Sequence, residues 1–286
     1  MAKLQQSKTP LEKLKNVVKC GWNADAPVDL NAPSLIQFEE SGMRFDFLFS
    51  PKKDSDKLFV MFSGDALRQQ YEPPVFQRWT WAPHFPGHCL YISDPSLFLA
   101  DDLGLAWYTG TQDFDPQDVI AARIKSIADY LGISQNNIYT YGSSGGGFAA
   151  IRMQLSLPDI TAIAVNPQTD IPEYNNRAVE KYFRICFGGR GRDEMRQDFP
   201  ERINLAKSAS VLKAGKIIIA QNRMDKHHLL DHLTPLCQAM GVPVDHNPND
   251  GKFRIVMFDH EGGHKKAETP EVFEQIVSIA IGMSDE

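Results

Sequence analysis

The chain has 286 residues, 42% of them hydrophobic and 23% charged, which is ample for one large core or for a core domain carrying an inserted cap. A formal net charge of −6 argues against a nucleic-acid binder, which is ordinarily basic. No apolar run approaches the ~20 residues of a membrane span, the stretch from Met1 to Val18 lacks the apolar core of a signal peptide, and Cys20, Cys89, Cys186 and Cys237 lie far apart with no C-x-x-C, as reduced thiols of a cytoplasmic protein would.

Residues 1–40 read as a peripheral arm, in which Leu11, Leu14, Val17 and Val18 have the spacing of a short docking helix. Gly42 to Phe49 alternates as a strand does. Lys57 to Phe62 and His88 to Ile92 are compact apolar runs, the mark of buried strands. Asp115-Pro116-Gln117-Asp118 opens a helix through Val119, Ile120, Ile124, Ile127 and Leu131, and Gly132 stops it. A strand is expected over Ile138 to Tyr141 and a helix over Gly145 to Leu157, then strands over Ile160 to Val165 and Lys216 to Ala220. His228 to Met240 reads as a helix, Phe253 to Phe258 as a strand and Pro270 to Ile281 as a last helix. This alternation predicts a mostly parallel sheet with helices on both faces. The main domain then covers 41–286. Its segment at about 169–215 is too long for a plain connection and is expected to be a helical cap over the carboxyl ends of the strands.

Gly142-Ser143-Ser144-Gly145-Gly146 matches G-x-S-x-G between an expected strand and an expected helix. That is the setting of a nucleophile elbow, in which glycines permit a sharp turn and the serine sits at a helix N-terminus. A glycine-rich turn that only packs closely is the structural alternative. A phosphate-binding turn would need G-x-x-x-x-G-K-[ST] or an early G-x-G-x-x-G, and neither is present.

A serine nucleophile needs a base and an acid that orients the base. Asp225 lies in the turn after the Lys216 to Ala220 strand, with Asp231 as the fallback. His264 lies in a Gly-Gly-His turn after the last strand, with His260 as its local rival. Ser144, Asp225 and His264 follow the order of an α/β-hydrolase triad, and from roughly Gly42 to Ile281 the chain resembles an α/β-hydrolase-fold serine enzyme. The resemblance implies oxyanion donors from Gly145 and from the Ser63-Gly64-Asp65 loop, through Gly64 or Asp65; where lipases often carry His-Gly-Gly, this chain has Ser63-Gly64. His228 and His232 stand four apart on an expected helix, but Leu229 takes the place of the glutamate of H-E-x-x-H. Two ligands with no assured third make a poor metal site, so no catalytic metal is expected and these histidines are read as rim or exposed residues.

Trp79-Thr80-Trp81 would set two indoles on one side of an extended stretch, a surface suited to sugar rings, unless both pack the core. Residues 177–202 carry seven basic and five acidic side chains; Arg190 and Arg192 there are candidates for a phosphate or carboxylate of a glycan or of coenzyme A, against the alternative of a solvated surface. The Phe-Ser-Gly loop, the Arg-Trp-x-Trp stretch and the Gly-Ser-Ser-Gly-Gly elbow together are similar to bacterial capsule and surface-polysaccharide O-acetyltransferases of this fold. That resemblance implies acyl transfer through an acyl-serine, from acetyl-coenzyme A or another ester, to a carbohydrate or to water. The rival is a catalytically silent hydrolase-fold protein that binds glycan or scaffolds polysaccharide assembly.

Overall fold

Apolar runs with no polar face must be covered on both sides, and the residues of β4 (Leu58–Phe62) illustrate how. Successive side chains of a strand point to opposite faces. Leu58, Val60 and Phe62 enter one core with Ile120, Ile124 and Ile127, while Phe59 and Met61 enter another with Phe273, Ile276 and Val277. A computed structural model of the protein describes residues 17–245, 251–266 and 268–284, and within them nine strands form one sheet.

In chain order the elements are β1 (Val18–Gly21), β2 (Ser34–Glu40), β3 (Met43–Ser50), β4, β5 (His88–Ile92), α1 (Gln117–Leu131), β6 (Ile138–Ser144), α2 (Gly145–Arg152) and β7 (Thr161–Pro167). Then come α3 (Asn176–Cys186), α4 (Arg192–Asp198), α5 (Pro200–Ile203), α6 (Ala209–Leu212), β8 (Lys216–Asn222), α7 (Thr234–Met240), β9 (Phe253–Phe258) and α8 (Pro270–Ser284). The spatial order is β1-β2-β3-β5-β4-β6-β7-β8-β9. The pairings of β3 with β2 and with β5 are antiparallel and the others parallel. The order turns back around β4 and β6, and such a switch point opens a crevice at the carboxyl ends of the strands.

The stretch expected as a peripheral arm contributes two strands to the sheet edge. Leu35 and Ile36 of β2 are buried, and β2 pairs with β3 along its whole length. Of the docking-helix residues, Leu11 and Leu14 lie outside the described residues and Val18 opens β1. Helix α1 covers one face with its three isoleucines, each fully buried; burying such a side chain is worth about 1.5–3 kcal/mol. Gly132 ends it in the left-handed region at φ 68°. Helix α8 covers the opposite face through Val272, Phe273, Ile276 and Ala280. The long segment between β7 and β8 holds α3 to α6. Arg202 ties it down by donating to the carbonyls of Thr109, Thr111 and Phe114 at 2.7, 2.6 and 2.6 Å. No helix among the described residues is long and apolar enough to cross a membrane.

Candidate active site

Strand β6 ends at Ser144 and α2 starts at Gly145, so Ser144 is the hinge between them. Its φ of 55° and ψ of −123° lie outside the ordinary regions, a strain of about 1–3 kcal/mol that only over-determined surroundings maintain. The glycines supply those surroundings. A Cβ at Gly142 would fall on the Gly146 carbonyl, and one at Gly146 on the Phe62 carbonyl at the end of β4. The hydroxyl of Ser144 accepts from Gln168 Nε2 at 2.9 Å, and Gln168 Oε1 accepts from Trp107 Nε1 at 2.5 Å. As the first residue of α2, Gly145 presents an N–H with no carbonyl four residues back, next to the serine. Leu105 and Trp107 pack against it.

The loop after β4 reaches the serine as expected. A Cβ on Gly64 would stand 3.2 Å from the Ser143 carbonyl oxygen and 3.6 Å from Ser144 Cβ. The Ser63 N–H donates to the Tyr108 hydroxyl at 2.7 Å, which fixes the loop. One expectation changes: the Gly64 N–H donates to Gln77 Oε1 at 3.0 Å, so it does not face the site unengaged. Gln77 Nε2 in turn donates to the Asp65 carbonyl at 2.9 Å, clamping the turn from outside. Asp65 lies at the exposed side of this loop.

Asp225 follows β8 by three residues and is 7% exposed. Its two oxygens are shared by four donors from three residues, the longest bond running from the His228 backbone N–H to Oδ1 at 3.4 Å. His264 Nδ1 donates to Oδ2 at 2.8 Å, Asn166 Nδ2 to the same oxygen at 3.0 Å, and His228 Nδ1 to Oδ1 at 3.0 Å. Burial pushes the carboxyl up, but the hydrogen bonds from His228 and His264 reverse this and hold it well below the usual carboxylate range. His264 is the partly open ring, its side chain 35% exposed against 4% for His228. His260 serves the turn instead: its Nδ1 accepts from the Gly262 N–H at 2.9 Å. The fallback Asp231 pairs with His227 at 2.8 Å on an exposed face.

His228 and His232, expected at a rim or in solvent, are 3% and 0% exposed. The helix is not α throughout: His228–Leu233 is a π-helical turn, whose wider register carries both rings inward. Burial pushes His232 down to about 3 and His228 below the ordinary histidine range. His232 Nδ1 accepts from the Thr169 N–H at 3.3 Å, so this ring is neutral with its proton on Nε2. Among the described residues one grouping has the composition of a metal site: Asp225, His228 and His264. Its geometry suits protons better. The two rings stack at 4.0 Å and 11°, so their lone pairs run side by side rather than converging, and each Nδ1 faces its own carboxylate oxygen.

The expected sugar platform is not built as the sequence suggested. Trp79–His84 is a 3₁₀ turn rather than an extended stretch, so residues two apart point in different directions. Trp81 is 1% exposed against Phe273, and Trp79 packs half-buried on the same core. Arg190 bonds Asp198 and Gln112, and Arg192 Nη2 donates to Asn176 Oδ1 at 2.6 Å, both on the inserted segment. Another opening is a cavity of about 540 Å³ whose wall includes Asp65, Leu105, Tyr174, Arg68, Arg177 and Lys181; Ser144 and His264 do not line it, and it meets the site through Asp65 and Leu105. Asn166 and Gln168 escaped the sequence reading, and His228, expected as a rim or exposed residue, is instead a partner of Asp225. The first two sit where β7 ends, and their only signal is that amides directly follow a fully apolar run.

No protein-family model and no curated protein matches the chain. Solved structures do. The capsule O-acetyltransferase of Neisseria meningitidis serogroup A is 19% identical, with 85% of this chain and 93% of that one aligned at a TM-score of 0.57. A further structure of it, of a variant, is in complex with CoA. A glycosylation associate protein complex from Streptococcus agalactiae aligns at 16% identity and a TM-score of 0.61 over 86% of this chain, which spans 46% of that one. An esterase/lipase from an uncultured bacterium aligns at 16% identity and 0.51, over 88% and 84% of the two chains. With this strand order and these neighbours, the chain has the α/β-hydrolase fold and resembles capsule O-acetyltransferases and esterases in its architecture.

Proposed function

We propose that the protein is a serine acyl-transfer enzyme, with Ser144 as nucleophile, His264 as base and Asp225 as the acid that orients it. The observation that carries this reading is that His264 Nδ1 donates to Asp225 at 2.8 Å while Ser144 stands on a strained elbow two strands away. With its Nδ1–H donated to the carboxylate, His264 keeps a lone pair on Nε2 for the proton of Ser144. The serine oxygen attacks the acyl carbonyl, and the oxyanion is met by the N–H of Gly145 and by that of Asp65, the Gly64 N–H being held by Gln77. The imidazolium then protonates the leaving thiol or alcohol. A second hydroxyl, from a sugar or from water, returns its proton to His264 and takes the acyl group.

Acetyl-coenzyme A is our preferred donor and a carbohydrate hydroxyl our preferred acceptor. The CoA-bound structure of an enzyme of this fold supports the donor. The acceptor is supported by the charged and amide side chains on the wall of the 540 Å³ cavity, among them Asp65, Arg68, Asn175 and Lys181. Trp79, Trp81, Arg190 and Arg192 have no part in this proposal. We take the inserted segment, through Tyr174, as the lid of that cavity. The four free cysteines suit a reducing compartment such as the cytoplasm.

Treatment with a fluorophosphonate, read as intact mass, tests the assignment. One adduct on the natural protein and none on Ser144→Ala is the expected result, followed by acetyl transfer from acetyl-coenzyme A. Equal labelling of both would refute Ser144 as nucleophile. No adduct on either, with oligosaccharide still binding, would favour the silent glycan-binding rival.

A further inference from the structure

A triad acid normally serves one histidine, whereas Asp225 serves two. We infer that His228 is a positioning residue of the proposed triad: its buried Nδ1–H holds the second oxygen of Asp225 while its ring backs that of His264. The inference rests on the serine-enzyme reading above and extends it to a residue outside the triad.

Access separates the roles of the two rings. With 4% of its side chain exposed, His228 cannot meet a substrate, whereas His264 at 35% can. Donation through Nδ1 leaves His228 Nε2 as a bare lone pair, and that atom is buried with no partner among the described residues. A proton there would bury a second positive charge 4.0 Å from the ring that becomes imidazolium in the reaction. His228 therefore stays neutral through the cycle and leaves the carboxylate charge to His264. The groups facing it are Asp225, His264, His227 and His232, with Tyr174 approaching from the inserted segment at 6.0 Å between ring centres.

Two effects follow. The bond fixes the carboxylate rotamer, so that Oδ2 meets His264. It also withdraws some of the carboxylate's pull on that ring. Asn and Phe divide these contributions. His228→Asn puts an amide N–H where Nδ1 stands and removes the ring; His228→Phe keeps an aromatic face and removes the donor.

The experiment is a histidine-ring NMR titration of the natural protein and both variants, beside the pH profile of kcat/KM. In His228→Phe the midpoint of His264 should rise by about one pH unit, the acid limb of the profile should follow it, and kcat should fall about tenfold with KM unchanged. In His228→Asn the midpoint and the limb should return to those of the natural protein. An unchanged midpoint in His228→Phe, or equal shifts in both variants, would overturn the inference. Ring ¹⁵N shifts of the natural protein need no variant: His228 should carry its proton on Nδ1 from pH 5 to 9, and an Nε2–H tautomer would overturn it too. The titration needs no turnover. A protein that shows these shifts yet never labels at Ser144 would therefore sink the catalytic reading alone.

Discussion

Arg78 is a buried cation on which three parts of the site converge. Its side chain is 1% exposed and that of Glu268 2%. Nε and Nη2 donate to the two carboxylate oxygens of Glu268, both at 2.7 Å, and Nη2 also bonds Ser143, the neighbour of the nucleophile. Tyr141 Oη donates to the same carboxylate at 3.1 Å. Glu268 lies four residues beyond His264, so one guanidinium ties the loop after β4, the elbow and the histidine loop together. Arg78→Met would break a buried pair that engages both carboxylate oxygens, a loss of about 3–5 kcal/mol. At about 2–4 °C per kcal/mol for a domain of this size, the melting temperature should fall by roughly 6–20 °C. Because the pair is buried, added salt should not reproduce the effect. Removing both charges in Arg78→Met with Glu268→Leu should restore most of the stability, since no orphan charge remains. Fluorophosphonate labelling of the double variant should stay slow, because Ser143 and the histidine loop have lost their common anchor. Calorimetry and labelling rates read the two effects separately. An Arg78→Met protein that melts within about 2 °C of the natural one, on the same scale, would refute this reasoning, as would a double variant whose losses simply add.

Gly146→Ala should destabilise the fold by about 1–3 kcal/mol in denaturant titration and abolish labelling of Ser144, because the new methyl meets the Phe62 carbonyl rather than a movable side chain. Trp81→Ala should lose about 3–5 kcal/mol of stability while leaving KM for a carbohydrate acceptor unchanged, since the indole packs on Phe273 and not on a ligand. His232 makes stability pH-dependent. The unfolded chain takes up a proton at the ordinary histidine value of about 6.5, whereas the folded protein refuses it until about 3. Within that window the unfolded state binds more protons, so stability falls as pH falls. His232→Asn keeps an acceptor for Thr169 and removes the titration. Between pH 6 and 4 it should lose roughly 2 kcal/mol less than the natural protein, at about 1.36 kcal/mol per pH unit for one proton.

The parts of this molecule that could be read from its sequence are those where one local pattern has one structural solution. β4 is apolar throughout and β7 from Ala162 to Val165 because both are buried on both faces, and runs this short between turn signals read as strands. The elbow is legible for a related reason: four glycines in six residues between a strand and a helix signal close backbone approach, which the carbonyls of Phe62 and Gly146 supply. β2 was hidden because SLIQFEE ends in polar residues and its partner, β3, is needed to make it a strand. Three residues of Trp79-Thr80-Trp81 cannot distinguish an extended stretch from a 3₁₀ turn, and that difference alone decides whether two indoles share a face. The spacing of His228 and His232 predicts that they lie near one another, and their rings are indeed 5.2 Å apart. It says nothing about whether that side faces water or Asp225. A π-helical turn and the Asp225 carboxylate three residues upstream of His228 settle the matter, and neither leaves a mark in the histidine spacing. The residues that set the chemistry of a site through a second bond, such as His228, Asn166 and Gln168, are therefore the ones a sequence conceals best, because their partners are chosen by the fold.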